Sequence, residues 1–332
     1  MSKLVAFETF NELLRTLELK RIYPSKRIEK ILTKNYILSL YTIWETYAKK
    51  RIFDTYSDYE YLLHTDDFIK RYLKKSFGKP YLSKEFLKDI KDTKVKKEIL
   101  CQSNNLTWGE FLDLLLIIGI DSSPLDTLIN ESAEISNIVN ILKNSGLIPV
   151  YKDGFSTLLS DSVKGYLQLI VDLRNTISHT YKMEFDEYID SKQMALLVHL
   201  FKCTINLIEK HIDNEISKKY LELINNEPVI RVINVIRGCN ASGNQEAILE
   251  ISVTNEDIYL NGQQLVIRSD TNKGYCTITG IRVGNLNLKK VPLNRVCTVA
   301  IMSSIKIRRG YQYELCLGPH KSSNIPNIIQ YA

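Results

Sequence analysis

A chain of 332 residues, 44% of them apolar, holds enough material for one large domain or two modest ones. Its longest apolar run, residues 114–120, is too short to cross a bilayer, and residues 1–8 lack a cationic stretch followed by an apolar core. A membrane protein and a secreted one are therefore not expected, and a soluble cytoplasmic protein with net charge +6 is.

Up to about residue 225 the apolar period is helical. Ile31, Leu32, Ile37, Leu38, Tyr41, Trp44, Tyr47, Ala48 and Ile52 recur at steps of three and four, with no Gly or Pro between Ser25 and Phe77, which predicts one long, largely buried helix. Shorter helices are expected around 66–76 and 83–100. Thr107, with Glu110 three residues on, reads as a helix start leading into Phe111–Leu116, and Gly119 and Pro124 are expected to close that element. Further helices are expected at 130–145, 158–177 and 188–223.

After Asn225-Asn226-Glu227-Pro228 the period shortens to two. The runs 229–236, 247–253, 258–260, 264–267, 275–283, 297–302 and 311–317 read as strands, and Asn261-Gly262 and Asn272-Lys273-Gly274 as hairpin turns. The expected organisation is an α+β chain of two domains: an all-helical domain over 1–225, then a small antiparallel all-β domain over 228–332, either a sandwich or a barrel. The six cysteines (Cys101, Cys203, Cys239, Cys276, Cys297, Cys316) form no C-x-x-C pair, which favours reduced, buried thiols over a disulfide framework or a zinc site.

Charge is unevenly distributed. Residues 1–100 carry 22 Lys+Arg against 14 Asp+Glu, residues 101–227 carry 10 against 18, and the remainder 12 against 6, so basic segments flank an acidic one. A polyanionic partner is compatible with this pattern, and so is a solvated lysine-rich surface. The basic words Lys49-Lys50-Arg51, Arg71-Tyr72-Leu73-Lys74-Lys75 and Arg308-Arg309 divide in the same way between solvated faces and contacts to an RNA backbone.

The segment Arg174-Asn175-Thr176-Ile177-Ser178-His179-Thr180-Tyr181 ends an apolar helical stretch marked by Val163, Leu167, Ile170 and Leu173. His179, with an ordinary pKa near 6.5, can take or give a proton near neutrality. Arg174 is permanently charged and presents a planar fork suited to phosphate oxygens. These are the groups that metal-free RNA cleavage requires, in which the ribose 2′-hydroxyl attacks the adjacent phosphorus and negative charge builds on the phosphate. The plain alternative is a pair of cations near a helix C-terminus, stabilising the helix dipole by a few tenths of a kcal/mol.

Arg174-Asn175-x-x-x-His179 resembles the signature of the HEPN superfamily, which is Arg, a polar residue, three variable residues and His. The stretch from Asn35 to Glu45, with its Trp44-Glu45 step, is similar to the early long helix of the large stand-alone HEPN-like nucleases of the RiboL-PSP and MAE-type groups. The resemblance covers roughly residues 25–215 and implies a HEPN-type helical bundle acting as a metal-independent, cofactor-free endoribonuclease. It further implies a homodimer through the helical domain, so that two copies of Arg174 and His179 share one cleft, within a bacterial anti-phage defence or toxin–antitoxin system. Arg174 and His179 are then the catalytic pair. Asn175 holds the RNA backbone or a side-chain rotamer, and Glu45 orients Arg174 or His179. HEPN toxins paired with nucleotidyltransferase antitoxins extend the motif by a tyrosine two residues beyond the histidine, which Tyr181 matches, and there the tyrosine is the modified, silenced position. His199 and His211, on the following helix, are in-chain alternatives for a second proton-transfer group. An antitoxin or a phage-derived trigger is the implied partner besides RNA. The rival expectation is a non-catalytic HEPN scaffold whose β domain is the working part, binding RNA or protein or serving as an antitoxin.

Overall fold

The computed structural model describes residues 2–19, 26–63, 66–76, 100–101, 105–151, 156–179, 189–223, 230–240, 246–253, 264–289, 292 and 294–317. Among them are helices α1 (Lys3–Leu19), α2 (Lys26–Asp58), α3 (Glu60–Leu63), α4 (Asp66–Ser76), α5 (Trp108–Ile117), α6 (Ser123–Asn130), α7 (Ala133–Asn144), α8 (Leu159–His179) and α9 (Ser191–Leu223). Strands β1 (Ile230–Arg237), β2 (Glu246–Val253), β3 (Gln264–Arg268), β4 (Lys273–Val283), β5 (Leu286–Asn287), β6 (Val296–Ser303) and β7 (Glu314–Leu317) follow. Helices thus precede an antiparallel sheet, as the change of period at the end of the helical text leads one to expect. None of the described helices is long and apolar enough to cross a membrane.

The chain divides into two compact units, Met1–Ser57 with Leu63–Glu209, and Asp58–Leu62 with Lys210–Ala332. Helix gives way to strand after 223, but the division between units falls earlier, inside α9, whose residues from 210 onward belong with the sheet.

In the first unit, α2 buries the stripe Ile37, Leu40, Tyr41, Trp44, Tyr47, Ala48, Ile52 and Tyr56, whereas Ile31, expected on the same stripe, is exposed. Trp44 is the hub. Its ring stacks on Trp108 of α5 with centroids 6.2 Å apart, and meets Phe111 and Phe201 edge-on at 5.4 and 6.1 Å. The start of α5 is as the sequence indicates, with the Thr107 hydroxyl accepting from the Glu110 N–H at 3.2 Å. Pro124 does not end that helix's run. It occupies the first turn of α6, where a missing N–H costs nothing, so the break after Gly119 is a turn between two helices. The expected helix at 83–100 lies, except for its last residue, outside the described residues. α1 and α6 were not expected from the sequence.

α8 carries the Arg/His segment and buries Val163, Tyr166, Leu167, Ile170 and Val171. The Tyr166 hydroxyl donates to the Leu147 carbonyl at 2.8 Å, and the Val150 N–H to the Gly165 carbonyl at 3.2 Å, so the segment 147–150 lies against the helix around Gly165.

In the second unit the strands follow the order β3-β7-β1-β2-β6-β4-β5, and β3 also pairs with β4. All pairings are antiparallel, and β1, β2, β6, β4, β3 and β7 close a ring, so of the two expected forms the sheet is barrel-like. Ala247, Leu249, Ile251 and Val253 of β2 and Cys297, Val299 and Ile301 of β6 alternate inward into one core with Ile278 and Ile281 of β4. Burying each such branched side chain contributes about 1.5–3 kcal/mol. The β3–β4 hairpin turns over 269–272, with the Ser269 N–H donating to the Asn272 carbonyl at 2.8 Å, so Lys273 and Gly274, expected in the turn, already belong to β4. The expected strand at 258–260 and turn at 261–262 lie outside the described residues, and β5 was not foreseen. The end of α9 packs Tyr220 against Val266 and Cys316 of the neighbouring strands, and Asn214 accepts from the Ser304 hydroxyl at 2.8 Å.

A methyl group at Gly165 would lie 2.5 Å from the Val150 carbonyl oxygen and 2.8 Å from Pro149 Cβ. Helix propensity alone favours Gly165→Ala by about 1 kcal/mol. The clash is expected to reverse that sign and to leave the variant destabilised by about 1–3 kcal/mol in denaturant unfolding. An unchanged or higher midpoint would show that segment 147–150 does not pack on α8 as described.

Candidate active site

Arg174 lies in the penultimate turn of α8, and its guanidinium rests over the ring of Tyr41 on α2, 4.8 Å from the centroid. Its Nη1 donates to the Asn105 Oδ1 and to the Asn175 Oδ1, both at 2.9 Å. Of the five N–H groups of a guanidinium, the two on Nη1 are thereby occupied. The Nε–H and both N–H groups of Nη2 have no acceptor among the described residues, nor does any carboxylate there come within ion-pair range of Arg174. The Nε/Nη2 edge is one of the faces by which arginine grips a phosphate with two parallel hydrogen bonds. The site thus holds a cation that is fixed in place, half-buried, and not neutralised by the described part of the chain.

Asn105 is held in turn by its neighbour. The Leu106 N–H donates to the Tyr41 hydroxyl at 2.9 Å, and the Trp44 Nε1 donates to the Leu106 carbonyl at 3.1 Å. Tyr41 therefore does two things at once: its hydroxyl anchors the segment that presents Asn105, and its ring carries the arginine that Asn105 binds. Burial pushes the Tyr41 phenol up to about 12, and the Glu45 carboxylate beside it adds to the rise. The Leu106 N–H and the Arg174 charge oppose it.

Asn175 accepts from Arg174 through its Oδ1, a contact of the kind its side-chain-fixing alternative requires. Glu45 stands beside Tyr41 and pairs with Lys49, one turn on, at 2.9 Å. Among the described residues it meets Arg174 only by way of the tyrosine. His179 is the last residue of α8, five residues beyond Arg174, which on an ideal helix is a rise of about 7.5 Å; its side chain lies outside the described part, as does Tyr181. His199 is exposed on α9, and His211 is buried in the second unit.

The basic words are engaged in part. Lys50 pairs with Asp54 at 2.9 Å, Arg51 with Glu209 at 3.0 Å, and Arg71 donates to the Ile117 carbonyl at 3.1 Å, while Arg308 and Arg309 are exposed near the turn at Gly310. The six cysteines are unpaired and buried, and burial raises the thiols of Cys203 and Cys297 to about 12 and about 11. Among the described residues no group of three or more His, Cys, Asp or Glu is placed to hold a metal ion. No protein-family model matches this chain, and no curated protein matches it significantly.

Sequence reasoning missed Asn105 and the second role of Tyr41. Asn105 precedes Arg174 by 69 residues, and only the Thr107 cap hinted that the chain there is held in a defined turn. Tyr41 was marked by its helical spacing as packing, which it also is.

Because the folded-state pKa of Tyr41 is raised, its neutral phenol stabilises the fold. That contribution is complete below pH 10 and is lost as pH climbs through about 12. Tyr166 and Tyr220 are shifted in the same direction by burial, so a difference measurement is needed. In a spectrophotometric titration Tyr41→Phe should remove one late-ionising phenol, and the variant's stability should fall less steeply over that window. Loss of a phenol titrating near 10 instead would contradict the buried placement.

Proposed function

We propose that the chain is a HEPN-type endoribonuclease that cleaves RNA without a metal, using Arg174 and His179. The observation that carries this is the state of Arg174: a fixed guanidinium with its Nε/Nη2 edge unclaimed among the described residues, one and a half turns before the histidine on the same helix. An arginine kept only for packing or for the helix dipole gains by pairing with a carboxylate or with the last carbonyls of its helix. This one is held by amides and an aromatic face.

In the proposed reaction the ribose 2′-oxygen attacks the adjacent phosphorus, and its proton passes to a neutral imidazole. The 5′-oxygen leaves with a proton from an imidazolium, giving a 2′,3′-cyclic phosphate and a 5′-hydroxyl. Arg174 offsets the charge that builds on the non-bridging oxygens. One His179 per chain supplies one of the two proton-transfer groups, and a two-fold homodimer through the helical unit supplies the other from its second copy. A place in a bacterial anti-phage defence or toxin–antitoxin system belongs to this proposal, with an antitoxin or phage-derived trigger as the controlling partner and the β unit recognising RNA or that partner. Tyr181, two residues beyond His179, is the corresponding position for silencing by modification. Glu45 supports the site through Tyr41.

The purified protein is expected to cut RNA in EDTA and to leave cyclic phosphate ends. His179→Ala should lower the rate by roughly 10²–10⁴ and Arg174→Ala by about 10²–10³, with both variants folded. Cleavage that vanishes in EDTA would replace this chemistry with a metal-dependent one. Variants as active as wild type would remove the proposed site. Wild type that binds RNA and never cuts would leave a HEPN scaffold whose function is binding.

A further inference from the structure

Among the described partners of Arg174, Asn105 is the one that is neither on the motif helix nor on α2, yet it accepts from the same nitrogen as the motif's own Asn175. Its backbone is fixed on the C-terminal side. The Thr107 N–H donates to the Asn105 carbonyl at 3.0 Å, and the next peptide, that of Leu106, is clamped by Tyr41 and Trp44. The two amides together use up Nη1, which fixes rotation of the guanidinium plane about its long axis, while the Tyr41 ring fixes its tilt. An amide oxygen achieves this without charge. A carboxylate in its place would make an equally short hydrogen bond and would also neutralise the cation.

We infer that Asn105 is a positioning residue for RNA binding. It orients Arg174 so that the Nε/Nη2 edge meets a phosphate, and its neutrality keeps the full positive charge available to that phosphate. The inference rests on the reading of Arg174 as an RNA-phosphate ligand and adds to it a residue outside the motif.

The test separates the two ideas. In the full chain carrying His179→Ala, so that nothing is cut, binding of a mixed-sequence single-stranded RNA oligonucleotide is measured over a range of salt concentrations. Each phosphate contact contributes about 0.7 to the slope of log K against log salt for a single strand. Arg174→Ala should reduce the slope by about that amount, and Asn105→Asp, which keeps the hydrogen bond and adds a charge, should reduce it equally. Asn105→Ser, neutral and shorter, should keep the slope but lower kcat about tenfold in the His179-intact enzyme, by loosening the geometry. Thermal midpoints should stay near that of the parent for both Asn105 variants. If Arg174→Ala leaves the slope unchanged, the phosphate-ligand reading falls, and this inference with it. If Arg174→Ala lowers the slope and Asn105→Asp does not, only the role of Asn105 is overturned. A fall in thermal midpoint for Asn105→Asp and Asn105→Ser, with the wild-type slope retained in both, would make Asn105 structural.

Discussion

The Leu106 side chain is fully buried, and each polar group of its peptide would cost about 1–3 kcal/mol if buried without a partner. Both groups are satisfied by one helix, the N–H by the hydroxyl of Tyr41 and the carbonyl by the indole of Trp44, three residues apart on the same face of α2. The Trp44 side chain is in turn locked by the aromatic cluster that it forms with Trp108, Phe111 and Phe201, rings drawn from three helices. A polar corner at the edge of an apolar core is thereby given the rigidity of the core itself. Asn105 and Arg174 inherit their positions from that clamp and do not depend on the side-chain entropy of a free surface.

How much of this was legible from the text of the chain follows from the range of each interaction. The long buried helix was read from its spacing because the stripe from Ile37 to Tyr56 faces one core throughout. Ile31 falls off that stripe near the exposed beginning of the helix. The Thr107 cap was legible because capping is settled within four residues. Pro124 was misread because proline both ends and begins helices, and its role depends on which side the next apolar turn lies. β5 consists of two exposed residues, Leu286 and Asn287, paired to the end of β4, and carries no alternation to detect.

The site divides in the same way. Arg174, Asn175 and His179 are neighbours along one helix, so their association was visible as a word. Tyr41 was visible as a place on a helix but not as a partner of that word, and Glu45 was tied to it only by the resemblance, because which faces of α2 and α8 meet is decided by packing. Asn105 had no local signal beyond the neighbouring Thr107 cap, since its role exists only when Leu106 is clamped 62 and 65 residues away from its partners in sequence.

Charge counting pointed elsewhere, and the reason is instructive. Several of the described cations in the first hundred residues are met by carboxylates, at helical spacing or across the core: Lys49 by Glu45, Lys50 by Asp54, Arg51 by Glu209. A lysine-rich segment that also carries 14 acids forms such pairs readily, and each paired cation has less to offer an external phosphate. Arg174 belongs to the opposite kind of segment, residues 101–227, where acids outnumber bases 18 to 10. Chance pairing in that setting favours a carboxylate partner for an arginine. What surrounds it among the described residues is two amide oxygens and a phenol ring. The partners that fix a cation without cancelling it are those that leave its charge for a ligand, and that distinction between pairing and positioning separates this arginine from the paired cations of the basic words.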